Sequence, residues 1–140
     1  MRKVIRTSEG PCPRGPYSQA IAADGFVFVA GQGPVNPSTN ELELGDVRSE
    51  TRRTLQNIRA ILEAAGSSLR DVVRVGVFLA DMKDFDGMNA VYREFFTEDQ
   101  PARTTVGMQL SKTNDSRRQE WFPSATCPGR AAPKGGLSAL

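Results

Sequence analysis

Residues 46–79, DVRSETRRTLQNIRAILEAAGSSLRDVVRVGVFL, contain the change of period that decides the fold class. Val47, Thr51, Leu55, Ile58, Leu62 and Ala65 recur at steps of three and four, the apolar stripe of an amphipathic helix. Asp46 stands where a side-chain oxygen can cap the free amides of the first turn, and Gly66 where the chain leaves the helix. Residues 72–79 are then rich in β-branched side chains and read as a buried strand, with Val73, Val75, Val77 and Leu79 on one face. A helix that feeds straight into a strand needs a sheet to pack on.

Working outward from this unit, residues 17–22 and 26–30 are two short apolar runs around Ala23-Asp24-Gly25. Asp-Gly supplies the positive φ angles of a tight turn, so the two runs predict a hairpin. Residues 3–7 predict a first strand, cut off by the proline-rich loop EGPCPRGP at 9–16, and residues 31–45 predict a second loop. Downstream, Asp84 is placed to cap a second helix with a stripe of Phe85, Met88, Val91, Tyr92, Phe95 and Phe96. Gly87 weakens its first turn by about 1 kcal/mol relative to alanine. Residues 103–110 predict a last strand. The order β-β-β-α-β-α-β predicts an α+β fold with two helices packed on one face of a mixed sheet. Residues 1–111 form the expected domain, and 112–140 a divergent, disordered or loosely attached C-terminal tail.

Composition narrows the chemistry. At 140 residues the chain holds one domain. It has no histidine, which excludes serine–histidine and cysteine–histidine catalysis and removes the commonest metal ligand. Cys12 and Cys127 have no ligand spacing; two free thiols are expected, with a disulfide as the alternative. Residues 1–111 carry 13 Lys and Arg against 14 Asp and Glu, and residues 112–140 carry 5 against 2. The body is therefore almost neutral, which argues against a nucleic-acid surface. Neither a membrane span nor an export signal is legible, so a cytoplasmic protein is expected.

Several stretches, in order and with fitting spacing, resemble the reactive intermediate deaminase family of RidA/YjgF type. They are Gly15-Pro16-Tyr17-Ser18-Gln19-Ala20, Val29-Ala30-Gly31-Gln32-Gly33-Pro34-Val35, Thr54-Leu55-Gln56-Asn57-Ile58, Glu63-Ala64-Ala65-Gly66-Ser67, Asn89-Ala90-Val91-Tyr92-Arg93-Glu94-Phe95-Phe96 and Pro101-Ala102-Arg103. The resemblance implies a chorismate-mutase-like protomer and a homotrimer whose sheets form an inner barrel, with active sites between protomers. It implies a hydrolase acting on C–N bonds, of the 2-iminobutanoate/2-iminopropanoate deaminase type. Such an enzyme converts 2-aminoacrylate and 2-iminopropanoate to 2-keto acids and ammonia, without cofactor or metal.

Carried onto this chain, the resemblance makes Arg103, Tyr17 and Glu120 the catalytic candidates, with Gly31, Gln32, Asn89 and Thr105 binding substrate. A guanidinium can fork onto a carboxylate with two parallel hydrogen bonds, which fixes a small 2-imino acid in one orientation. A phenol at Tyr17 can hold water or the amino group, although a core tyrosine in the hairpin fits the sequence equally. Gly31 permits close backbone approach, or merely a tight bend. Asn89 fits a helix surface as well as a cleft. Thr105 replaces a cysteine of many family members, leaving its backbone N–H as a donor. Ala30 replaces a serine of some. The family's water-positioning glutamate falls near Arg118, and Glu120 is the nearby carboxylate. Two other functions stay open: a non-catalytic trimeric binder of small carboxylates, and, less favoured, RNA binding or cleavage through the basic tail.

Overall fold

Asp24 and Gly25 both take left-handed backbone conformations, φ 50° and 81°, the pair of positive angles that a two-residue hairpin turn requires. In the computed structural model, which describes residues 1–108, this turn joins β2 (Ala20–Ala23) to β3 (Phe26–Val29). On its other side β2 pairs antiparallel with β1 (Lys3–Ile5), so these three strands form one sheet in sequence order. The first strand is shorter than the sequence predicts, and a side chain is the reason. Gln19 is buried and acts as a piece of ladder. Its Oε1 accepts from the Thr7 N–H at 2.8 Å, and its Nε2 donates to the carbonyls of Thr7, Gly10 and Pro11 at 3.0, 3.3 and 2.8 Å. One amide thus closes the prolyl loop that backbone pairing cannot continue into.

The helix α1 (Val47–Ala64) starts as expected: the Asp46 carboxylate accepts from the Ser49 N–H at 2.8 Å. It stops as expected too, because Gly66 has φ 80°. Its buried face is wider than the six-residue stripe. Ile61 is fully buried against Ile5, Ala20, Ala22 and Ala65, a core under the first sheet. Leu55 belongs to a second core with Leu79, Met88, Tyr92 and Phe96. One helix serving two cores must bury more than a single seam. Asn57 is also buried, and its amide donates to the carbonyls of Gly33 and Val35 at 3.1 and 2.8 Å. That contact ties the loop of residues 31–45 to the helix.

After a 3-10 turn at Leu69–Asp71, β4 (Arg74–Leu79) runs parallel to β5 (Ala102–Gly107), with α2 (Phe85–Phe95) between them in sequence. Val73 lies outside the strand and is exposed, so the inward set is Val75, Val77 and Leu79. Asp84 does not cap α2. It makes no side-chain cap bond, because it ends a preceding 3-10 turn, Met82–Asp84, which Asp81 caps by accepting from the Lys83 N–H at 2.9 Å. The expected element order is therefore present, in an α+β fold with antiparallel and parallel pairing. The expected single mixed sheet is, among the described residues, two sheets bridged by α1. The faces turned away from the helices carry Phe26, Phe28, Phe78 and Val106, all exposed. No described helix is long and apolar enough to cross a membrane. Cys12 is not the expected free thiol but disulfide-bonded, the alternative that the sequence leaves open. Cys127 and the tail at 112–140 lie outside the described residues.

Gly87 sets two effects against each other. Helix propensity favours alanine there by about 1 kcal/mol. A Cβ at Gly87, however, would lie 2.5 Å from Cγ1 of Val47, at the α1–α2 contact. Overpacking of a β-branched neighbour costs about 1–3 kcal/mol, so sterics should win. Gly87→Ala is expected to lower stability in denaturant titration by up to about 2 kcal/mol; a gain would show that the helices are free to part.

Candidate functional site

An arginine on the inner face of a strand needs partners, and α2 supplies them. Arg103 and Thr105 are the partly buried residues of β5, alternating with exposed Ala102, Thr104 and Val106. Phe85, Asn89 and Tyr92 follow each other at four and three residues along α2 and so share one stripe. The Arg103 guanidinium rises into that stripe. Its central carbon lies 4.7 Å from the centroid of the Tyr92 ring and 5.7 Å from that of Phe85. Its Nη1 donates to Asn89 Oδ1 at 2.7 Å.

A guanidinium has five N–H donors, and Asn89 takes one. Among the described residues no carboxylate pairs with Arg103. Arg52 and Arg53, in contrast, hold Glu94 and Glu43 at 2.6 Å. Cation–π contact stabilises such a charge by about 0.5–2 kcal/mol, but it does not neutralise it. The arrangement is an oriented, half-buried planar cation with donors to spare. It is suited to a small carboxylate.

Tyr92 sits at the base of this arrangement, buried and stacked at 4.6 Å on Phe96. Burial raises the ionisation of its phenol above the ordinary range, and the Arg103 charge offsets this only in part. The ring facing the cation is therefore neutral at physiological pH. The hydroxyls of Tyr92 and Thr105 are buried and make no hydrogen bond among the described residues.

The structure sorts the expected site residues into two groups. Arg103 and Asn89 meet directly, with Thr105 the next inward residue of β5. Tyr17, Gly31 and Gln32 lie on the side of the first sheet, and no described hydrogen bond, ion pair or ring contact joins them to Arg103. Tyr17 is 48% exposed in the loop before β2, so it is not a core tyrosine. Its phenol oxygen accepts from the Arg14 N–H at 3.2 Å, while its own N–H donates to the Gly15 carbonyl at 2.8 Å. A Cβ at Gly31 would meet nothing within 4 Å, and its φ is not in the left-handed region, so neither packing nor a tight bend demands glycine there. The Gln32 amide donates to the Ala30 carbonyl at 3.1 Å. Glu120 lies outside the described residues. Among those described, no group of three or more His, Cys, Asp or Glu could hold a metal.

Tyr92 and Phe85 were legible only as core residues of an apolar stripe. The missing signal was Asn89, which shares that stripe: a polar side chain on a buried helix face marks where the apolar layer receives a polar partner.

Residues 7–116 match the family model described as Endoribonuclease L-PSP. A RutC family protein of Pyrococcus horikoshii is 56% identical over 76% of this chain and 84% of its own length. A protein of Dermatophagoides farinae named 2-iminobutanoate/2-iminopropanoate deaminase is 40% identical, over 76% of this chain and 84% of its own. Among solved structures, Escherichia coli TdcF with bound serine superposes with a TM-score of 0.74 at 39% identity, covering 79% of this chain and 89% of that one.

The Tyr92 phenol gives the site a pH signature. Its ionisation is raised in the folded chain, so the unfolded chain releases this proton first. The associated stability is complete below the ordinary phenol range and is lost as pH rises through that range toward the folded value. Denaturant titrations across alkaline pH should show a falling slope that Tyr92→Phe reduces. Identical slopes in both chains would mean that the phenol is solvated.

Proposed function

This chain belongs to the RidA/YjgF family of reactive intermediate deaminases, and on that premise we propose that it hydrolyses small 2-imino and 2-enamino acids to 2-keto acids and ammonia. The observation that carries the reading is the Arg103 guanidinium, half-buried and held by Asn89 and Tyr92 with no carboxylate beside it among the described residues. Two parallel N–H groups on a substrate carboxylate place the adjacent C=N carbon at a fixed distance and angle from the strand. An enamino acid first becomes the imine, gaining a proton at C3 and losing one from nitrogen. Water then adds to the C=N carbon, forming a C–O bond and moving a proton to nitrogen. The carbinolamine then loses ammonia as the C–N bond breaks and the carbonyl forms. Because such imines already react with water, positioning and modest proton transfer suffice.

The names of two relatives fit this chemistry. The mite protein is named for imino-acid deamination, and TdcF holds serine, a small amino acid with the carboxylate that the fork would grip. We further propose that Tyr17, Gly31 and Gln32 reach the site from a neighbouring copy in a homotrimer. Support comes from their separation from Arg103 within one chain. It comes also from Phe26, Phe28, Phe78 and Val106, which leave the uncovered sheet faces apolar. Glu120 remains the proposed carboxylate for positioning water.

Freshly generated 2-iminopropanoate, followed by keto-acid release, tests the reading. The full chain should accelerate release. Arg103→Ala should lose on the order of a hundredfold or more in kcat/KM, the equivalent of two charge-assisted hydrogen bonds, and Arg103→Lys should recover little of it. No acceleration by the parent chain, or a fully active Arg103→Ala, would refute it. Calorimetric binding of 2-ketobutyrate without turnover would favour a carboxylate binder instead.

A further inference from the structure

We propose that Tyr92 is the positioning residue for carboxylate capture: its ring face sets the plane of the Arg103 guanidinium, so that the edge not engaged by Asn89 is presented to the ligand. This rests on the deaminase reading for its ligand, but not for its geometry.

Arginine has four rotatable bonds and loses about 2 kcal/mol of rotamer freedom when held still. One hydrogen bond to Asn89 fixes a point on the guanidinium but leaves rotation about that bond. A ring face beneath the central carbon removes the rotation, because the planar cation gains most when its carbon lies over the π cloud. At 4.7 Å the Tyr92 centroid is the nearer of the two rings, and Phe85 at 5.7 Å flanks it. Tyr92 is itself buried, packed on Phe96 and among Leu55, Leu79 and Met88. The cation thus rests on a fixed surface continuous with the second core. Asn89 and Tyr92 are one helical turn apart, so a single rigid element defines both the point and the plane. The role belongs to the ring and not to the hydroxyl, which makes no hydrogen bond among the described residues.

The test compares Tyr92→Leu with Tyr92→Phe in the full chain. The first removes the ring and the second only the hydroxyl. The fork both grips the carboxylate and aims the C=N carbon, so loss of its orientation reaches binding and turnover together. Tyr92→Leu is therefore expected to raise the Kd for 2-ketobutyrate by roughly 5- to 30-fold and to lower kcat/KM by at least as much. Tyr92→Phe should restore both. In an Arg103→Ala background Tyr92→Leu should change binding no further, whereas a merely structural role would add its full effect.

Side-chain NMR gives a readout independent of any ligand. The Arg103 Nε–H and Cδ–H resonances should carry an upfield ring-current shift that Tyr92→Leu reduces to the contribution of Phe85 and Tyr92→Phe keeps. A parent chain that shows the shift but neither binds nor turns over imino or keto acids would refute the deaminase reading and leave the cradle standing. Absence of the shift, or a Tyr92→Phe chain that behaves as Tyr92→Leu, would overturn the proposal itself.

Discussion

The contact between the Arg103 guanidinium and the Tyr92 ring joins the one available cation of β5 to the interior of the protein, and much of the architecture is needed to make it. β5 must run parallel to β4 in the observed register for Arg103 and Thr105 to face inward. A slip of one residue would send both to the outer face and bring Ala102 and Thr104 in. α2 must also lie close enough for its Phe85–Asn89–Tyr92 stripe to meet the strand. Its closeness to α1 is set partly by Gly87, whose missing side chain leaves room for Val47. Backbone register, helix approach and side-chain chemistry therefore converge on one planar group.

The other half of the molecule is built by a different device. Around the first sheet two buried amides do what backbone ladders do elsewhere. Gln19 binds the N–H and carbonyl of Thr7 and two carbonyls of the prolyl loop, and Asn57 binds the carbonyls of Gly33 and Val35. Prolines rule out regular pairing in the first loop, yet its polar backbone groups still need partners once buried. A fully satisfied amide supplies them and fixes the loop in one conformation. Tyr17, Gly31 and Gln32 are thereby presented from loops that are irregular in form but anchored to the core. The strong periodic elements carry the cation, and the amide-pinned loops carry the remaining expected contacts.

How far the sequence discloses this depends on whether a residue acts locally or across the fold. The hairpin turn at Asp24-Gly25, the Asp46 cap and the Gly66 exit are local geometry, and all three are legible from two or three neighbouring residues. Arg103 and Asn89 are legible through a family resemblance, and the structure brings them together. What escapes is what needs a third dimension. Ile61 falls outside the apparent stripe because α1 packs against two cores. Asp84 loses its capping role to Asp81 because an unforeseen 3-10 turn precedes α2. The roles of Gln19 and Asn57 depend on carbonyls that only the fold brings beside them. Tyr92 reads as core, correctly, but core position hides its second face. The split into two sheets among the described residues is a matter of which strands meet, which periodicity does not record.

Among the described residues Arg103 has no carboxylate partner, a costly way to complete a strand, and that cost bears on what the position is for. Arg52 and Arg53 show the ordinary solution on this same protein, each with a glutamate partner. A carboxylate beside Arg103 would cancel its charge, which a ring and an amide do not. It would also compete with every anion the fork might bind. Tyr92 and Asn89 make the opposite compromise. They hold the guanidinium firmly enough to cut the entropy lost on binding, and they leave its charge uncancelled. The neutral phenol matters here, because a phenolate would reinstate the competitor. On the proposed reading, the ligand's carboxylate then supplies the counter-charge that the described residues leave open at Arg103.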